Sequence, residues 1–171
     1  MVALTAAYVA HVLSAAFWTG ATLYVAYAVL PAARGGRLRA AGFVEQVHRL
    51  LLVTRWTGIV LPATGAYMIW RLYTPLELLT TTTRGWVVLV MIGLWGALNT
   101  VLELGVLRMR RAVDDPGFGQ YMSEGFPAER LSGDVTGVAL ADLGRPYLLV
   151  GAALATLLLV DAALLAVGVP V

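Results

Sequence analysis

Ionisable side chains lie inside the apolar segments of this chain, and they are the residues best placed to do chemistry. His11 stands in the first apolar segment, Arg55 in the second, Glu103 in the third and Asp161 in the fourth. An ionisable group within a membrane costs several kcal/mol unless it faces other helices and finds a partner there. Each of the four is therefore a candidate for a functional site.

His11 shares one helical face with Ser14, Trp18 and Thr22, which recur at helical spacing. It lies about 12 Å from the outer end of its segment, at a rise of about 1.5 Å per residue. Neutral imidazole is the commonest metal ligand in proteins, and the chain has no cysteine to compete with it. His11 is thus a candidate ligand of haem or copper, and the alternative is a histidine that hydrogen-bonds a neighbouring helix.

Asp161 lies in the same half of the predicted membrane domain as His11. A contact between them would let the carboxylate orient the imidazole, relay a proton or serve as a second metal ligand.

Arg55 lies about 12 Å inside the inner end of its segment, too deep to reach water easily. Glu103 reaches a comparable depth from the same side, so we expect an Arg55–Glu103 ion pair. The pair either locks two helices together or binds an anionic propionate or phosphate.

The elements that must position these residues are long and apolar. The chain has 171 residues, of which 60% are hydrophobic and 13% charged, whereas a soluble domain is about 25% charged. Its mean hydropathy is +0.80. Apolar segments predict spanning helices over residues 3–30, 47–73, 86–107 and 147–168. We therefore predict one all-α membrane domain over residues 1–171, a four-helix bundle in which Pro31 ends the first helix.

The arginines predict how this bundle is oriented. Nine of the twelve lie around the connections after the first and third segments, two lie between the second and third, and Arg55 is internal. The positive-inside rule then places both termini outside in a multi-pass protein of the plasma membrane. Residues 112–146 then form a long inner loop, in which residues 127–131 could form a short helix. His48 lies at the inner boundary of the membrane, where we expect an ordinary interfacial residue.

Several chemistries are excluded by what the sequence lacks. Without cysteine there is no disulfide, thiolate metal site or iron–sulfur cluster. No Gly-rich phosphate loop or nucleophile elbow is present, and the scattered arginines argue against nucleic acid as a partner. No nucleophile or acid–base pair can be placed, so the sequence does not specify an enzyme activity. Small residues in the fourth segment fit internal packing or a homo-oligomer equally well.

The segment His11-Val-Leu-Ser-Ala-Ala-Phe-Trp18-Thr-Gly20, which precedes Pro31, resembles the first helix of the CopD-type copper-resistance membrane proteins. Thr64-Gly65 in the second segment and Gly85-Trp86 at the start of the third are similar both to that family and to the related HemJ-type protoporphyrinogen oxidases. The likeness covers about residues 10–111, and both families imply a small helical membrane protein.

The resemblance implies a metal centre in the outer half of the bundle, either copper or haem b. The HemJ-type histidine proposed to bind haem matches His11, and the likeness places Trp18 and, for a haem propionate, Arg55 near the cofactor, with Asp161 as a further metal ligand. The lysine that HemJ-type proteins carry after Gly-Trp is missing, since this chain has no lysine. A contrasting hypothesis is a non-catalytic membrane subunit that assembles with or stabilises a larger respiratory or transport complex.

Overall fold

The computed structural model describes residues 1–131 and 135–168, and these residues form helices and connections without a β-strand. The elements follow in chain order: α1 (Val2–Arg34), α2 (Ala40–Leu72), α3 (Leu78–Thr81), α4 (Thr83–Arg111), α5 (Phe118–Glu124), a 3-10 turn (Ala128–Arg130) and α6 (Gly137–Val167). The four long helices α1, α2, α4 and α6 pack side by side, and the two short ones lie in the connections.

The long helices run antiparallel to their neighbours. His11 of α1 meets Thr64 of α2, while Trp18 meets Thr54, so residue numbers rise in one helix as they fall in the other. The same opposed order holds between α2 and α4 and between α4 and α6. The ends of α1 and α4 therefore lie beside the starts of α2 and α6. We call this the arginine-rich end, since it holds nine arginines: Arg34, Arg37, Arg39, Arg49, Arg108, Arg110, Arg111, Arg130 and Arg145.

Three of the long helices, α1, α4 and α6, are long and apolar enough to cross a membrane. Large apolar side chains on their outer faces are uncovered, as Leu13 and Phe17 of α1 illustrate with 64% exposure each. A soluble protein rarely exposes so much contiguous apolar surface, whereas a lipid bilayer covers it without cost. These features are those of a membrane protein. Helix α2, which like α1 has 33 residues, does not reach the same hydropathy.

The helices extend beyond the apolar segments that predicted them. The last helix begins at Gly137 rather than at residue 147, so the predicted inner loop is shorter than 112–146. Thr136 starts this helix by accepting a hydrogen bond from the Ala139 N–H at 3.2 Å, and Pro146 lies inside it. The difference arises because hydropathy detects only the uninterrupted apolar run, whereas Asp142, Arg145 and Pro146 break that run within the first turns of α6.

The sequence predicts that Pro31 ends the first helix, but in the structure the helix continues past it. A π-helical turn, Val25–Val29, comes directly before Leu30 and Pro31, and the helix then continues to Arg34. Proline has no N–H to donate, and its ring crowds the preceding turn of an α-helix. The wider π-turn lies at this crowded position, so the chain passes Pro31 without breaking.

Candidate functional site

His11 projects from α1 toward α2. Its Nδ1 lies 2.8 Å from Thr64 Oγ1, and its ring packs against Gly65, where an added Cβ would lie 3.4 Å from His11 Cε1. The Thr64 hydroxyl donates in turn to the Val60 carbonyl at 2.7 Å. This back-bond within the helix is the usual hydrogen bond of a threonine in an apolar helix. The imidazole is thus held by one named partner.

The Thr64 back-bond decides which nitrogen of His11 carries the proton. Since the hydroxyl hydrogen of Thr64 is used by Val60, the Thr64 oxygen accepts the hydrogen of His11 Nδ1. His11 Nε2 then keeps its lone pair. A histidine that binds a metal does so through one such nitrogen while a second group holds the other nitrogen. In this tautomer Nε2 is the ring nitrogen that could bind a further group.

No hydrogen bond or ion pair joins His11 and Asp161 among the described residues, although their similar depth makes a contact possible. The polar partner of His11 is Thr64 on α2, and Asp161 Oδ2 is buried without a hydrogen-bond partner among the residues that the structure describes. Depth can be estimated from the rise per residue, but the rotation of each helix about its axis cannot. That rotation turns the Nδ1 of His11 toward Thr64 on α2.

The half of the bundle away from the arginine-rich end contains polar atoms that the protein does not pair. Across residues 1–131 and 135–168, Trp95 Nε1 on α4 and Asp161 Oδ2 on α6 are buried without a hydrogen-bond partner. An unpaired buried polar atom costs about 1–3 kcal/mol. This half therefore holds two buried polar atoms that the described residues do not pair.

Trp18 lies between α1 and α2 and is 1% exposed. Its Nε1 donates to Thr54 Oγ1 at 3.0 Å, and Thr54 donates to the Leu50 carbonyl at 2.9 Å. The indole lies about two turns along α1 from His11. Its single polar atom is used by α2, so Trp18 fixes the spacing of the two helices on which His11 depends.

The structure brings Arg55 and Glu103 together, with Arg55 Nε 2.9 Å from Glu103 Oε1. The Tyr121 hydroxyl donates to Glu103 Oε2 at 2.7 Å, and Arg55 also donates to the Met122 carbonyl at 2.8 Å. The Arg55 guanidinium lies 5.0 Å from the centre of the Tyr121 ring. Burial, and next the bond to Glu103, raise the pKa of Tyr121, so its hydroxyl stays protonated and donates. Because Arg55 and Glu103 find their partners inside the protein, the geometry supports an ion pair that locks two helices together rather than an open anion-binding site.

The connection after α4 folds back over the arginine-rich end and closes it. His48 accepts a hydrogen bond at Nδ1 from the Phe126 N–H at 3.2 Å, so it holds this connection in place. Arg110 is fully buried and pairs with Asp114 and Glu124. Burial alone would raise the pKa of Glu124, but the Gln120 amide and the charges of Arg130 and Arg110 outweigh it and lower the pKa.

Arg110 and Tyr121 are the polar residues of this closure that the sequence analysis missed. Arg110 precedes Asp114 by four residues, a helical ion-pair spacing that the sequence does contain. Tyr121 has no comparable signal, because its partner Glu103 comes from a different helix and only the fold brings the two together. The predicted short helix over 127–131 is present as the 3-10 turn Ala128–Arg130, and its neighbour α5 was not predicted.

The described residues contain no cluster of metal donors: nowhere do three or more side chains of His, Cys, Asp or Glu gather around one point. Comparison with family models, with curated proteins and with solved structures finds no match to this chain.

Proposed function

We propose that this chain is a CopD/HemJ-like membrane protein that holds haem b through His11 and serves membrane redox chemistry or metal handling. The observation that carries the proposal is the hydrogen bond of 2.8 Å between His11 Nδ1 and Thr64 Oγ1. It orients the imidazole and leaves Nε2 with its lone pair. The motif around His11 and Trp18 supports the same assignment.

In this proposal all four long helices cross the plasma membrane. The arginine-rich end lies inside and both termini lie outside, in line with the positive-inside rule. α1, α4 and α6 have the length and hydropathy of spanning helices. α2 is proposed as the fourth because it runs antiparallel to α1 along the bundle and carries Arg55 and Thr64 on faces that meet other helices.

Haem b, when bound, supplies one-electron chemistry at its iron. In this chain His11 would hold the haem through its imidazole, and Thr64 would orient that ring. Trp95 Nε1 is a hydrogen-bond donor in the same half of the bundle that no described residue uses. The Arg55–Glu103 pair lies farther toward the arginine-rich end and keeps α2 and α4 together beneath the site.

The test compares the only two histidines of the chain. The protein and its His11→Ala and His48→Ala variants are expressed with haem and copper supplied and purified in mild detergent. Visible spectra are recorded oxidised and after reduction with dithionite, and iron and copper are measured in the same samples. We expect a Soret band and reducible α and β bands in the unmodified protein and in His48→Ala, and their loss in His11→Ala.

Two results would contradict the haem proposal. A colourless protein that retains copper, and loses it on substitution of His11, would assign a copper site to the same residue. A protein without either metal would leave His11 as a packing residue. The chain would then be a small subunit of a larger membrane complex, to be found by isolating that complex.

A further inference from the structure

A groove lies between α4 and α6 near the arginine-rich end. It is lined by Leu104, Leu107, Arg108, Arg111 and Tyr147, and its volume is about 240 Å³. It opens on the outer face of the bundle, on the side of the molecule that the four-helix arrangement turns toward lipid. Nothing in the mechanism of the His11 site uses it.

Tyr147 is held against the backbone of α4. A Cβ added at Gly105 would lie 2.5 Å from the Tyr147 Cβ, so only glycine at position 105 lets the tyrosine approach this closely. The hydroxyl of Tyr147 consequently lies 3.5 Å from Arg108 Nη1. A hydroxyl and a guanidinium are thus fixed on the same wall of the groove.

The positive charge in the groove is hardly neutralised by the protein. Arg108 is exposed and makes no ion pair with any described residue. Arg111 has its nearest carboxylate, Asp115, at 3.9 Å, and that side chain is 92% exposed. Arg55 and Arg110, in contrast, have carboxylate partners within the protein. Two guanidinium groups therefore remain available to an anion.

The groove is apolar at one end and positively charged at the other, which matches the acyl chain and the anionic headgroup of a lipid. Leu104 and Leu107 lie one turn of α4 before Arg108 and Arg111, farther from the arginine-rich end, and Leu104 is 51% exposed. We propose that the groove binds one anionic phospholipid. The phosphate lies between the two arginines and accepts a hydrogen bond from Tyr147, and an acyl chain follows the two leucines.

The experiment is a lipid competition on the intact, detergent-purified protein. Native mass spectrometry measures adducts of phosphatidylglycerol against phosphatidylcholine for the unmodified protein and for the double variant Arg108→Gln/Arg111→Gln. The matched control is Arg71→Gln/Arg84→Gln, which removes two exposed arginines at the opposite end. We expect one preferred phosphatidylglycerol adduct, weakened about thirtyfold in the double variant, at roughly fivefold for each arginine, and unchanged in the control.

Tyr147→Phe keeps the ring on Gly105 and both charges, so it tests the groove with the fold intact. It should weaken phosphatidylglycerol binding by a smaller factor, about fivefold, through the lost hydrogen bond. Equal lipid preference in the double variant and its control would overturn the proposal. So would displacement of the lipid from the unmodified protein by millimolar inorganic phosphate, because the groove would then take a free anion. Neither result depends on whether His11 binds haem.

Discussion

His11 and Trp18 lie on the same face of α1, and each gives its ring N–H to a threonine of α2 that is itself bonded to its own helix. The consequences differ because the rings differ. Indole has one polar atom, and Thr54 uses it completely. Imidazole has a second nitrogen, which remains available after Thr64 has taken the first hydrogen.

Removal of the Thr64 hydroxyl should therefore affect His11 specifically. Thr64→Val is expected to lower stability by about 1 kcal/mol and to weaken retention of the proposed haem about tenfold, through loss of the group that holds the imidazole. Thr57→Val is the matched control, because Thr57 makes the same back-bond, to Val53 at 2.8 Å, but does not meet His11.

Thermal unfolding and the reduced spectrum of both variants, in the same detergent, provide the measurement. Equal behaviour of Thr64→Val and Thr57→Val would show that the hydrogen bond to His11 contributes nothing.

The sequence predicts which polar residues lie inside the bundle, but only part of their pairing. Arg55 and Glu103 approach from the same side at similar depth, and they do meet. His11 and Asp161 satisfy the same criterion, yet no hydrogen bond or ion pair joins them in the described part of the chain. The difference lies in helix rotation, which results from the packing of all the helices together and leaves no local trace in the sequence.

Among the helices, α4 and α6 approach most closely where a glycine faces a bulky side chain. Gly105 lies against Tyr147, and Gly144 lies against Met109, with an added Cβ only 2.5 Å from the nearest atom in each case. Small residues at such crossings let helix backbones approach in a membrane, where no hydrophobic effect drives them together. The spacing of α4 and α6 thus depends on these glycines.

Gly105→Ala should force α4 and α6 apart and destabilise the protein by about 1–3 kcal/mol, because the new methyl group overlaps the Tyr147 Cβ rather than a flexible side-chain end. The control is Gly96→Ala on the same helix, where open space accepts the methyl group. Alanine favours helix over glycine there by about 1 kcal/mol, so this variant should be as stable as the parent or more so. Thermal unfolding of the two variants distinguishes them, and similar melting would contradict the close contact.

Helices are predictable from sequence where they are apolar and less so where they leave the membrane. The apolar run beginning at Tyr147 locates α6, yet its start at Gly137 depends on the Thr136 cap and on turns in which Asp142, Arg145 and Pro146 interrupt the apolar run. α5 has only seven residues and is held by contacts of Tyr121 with distant parts of the chain. Such a segment has too little local signal to predict, since tertiary contacts stabilise it.

The whole molecule has two unlike ends. One holds nine arginines and is closed by α5, and the other holds the start of α1 and the connection between α2 and α4. The proposed orientation can be tested directly because the chain has no natural cysteine. Arg37→Cys and Thr80→Cys place exposed thiols on the two sides of α2, the helix of lower hydropathy.

In intact cells, a membrane-impermeant maleimide should label Thr80→Cys and should label Arg37→Cys only after the membrane is opened. The reverse pattern would invert the proposed orientation. Labelling of both thiols in intact cells would show that α2 does not cross, which would leave three spanning helices instead of four.

The closure by α5 determines the route by which any molecule reaches His11. Tyr121, Arg55 and Phe126 fill the arginine-rich end, so the haem proposed at His11 would enter from the opposite end or sideways between helices. Sideways passage favours compounds that dissolve in lipid, since they diffuse within the bilayer to the bundle. A hydrated ion has no corresponding path from the arginine-rich side. Entry of the proposed haem would thus be one-sided and would favour a guest that dissolves in lipid.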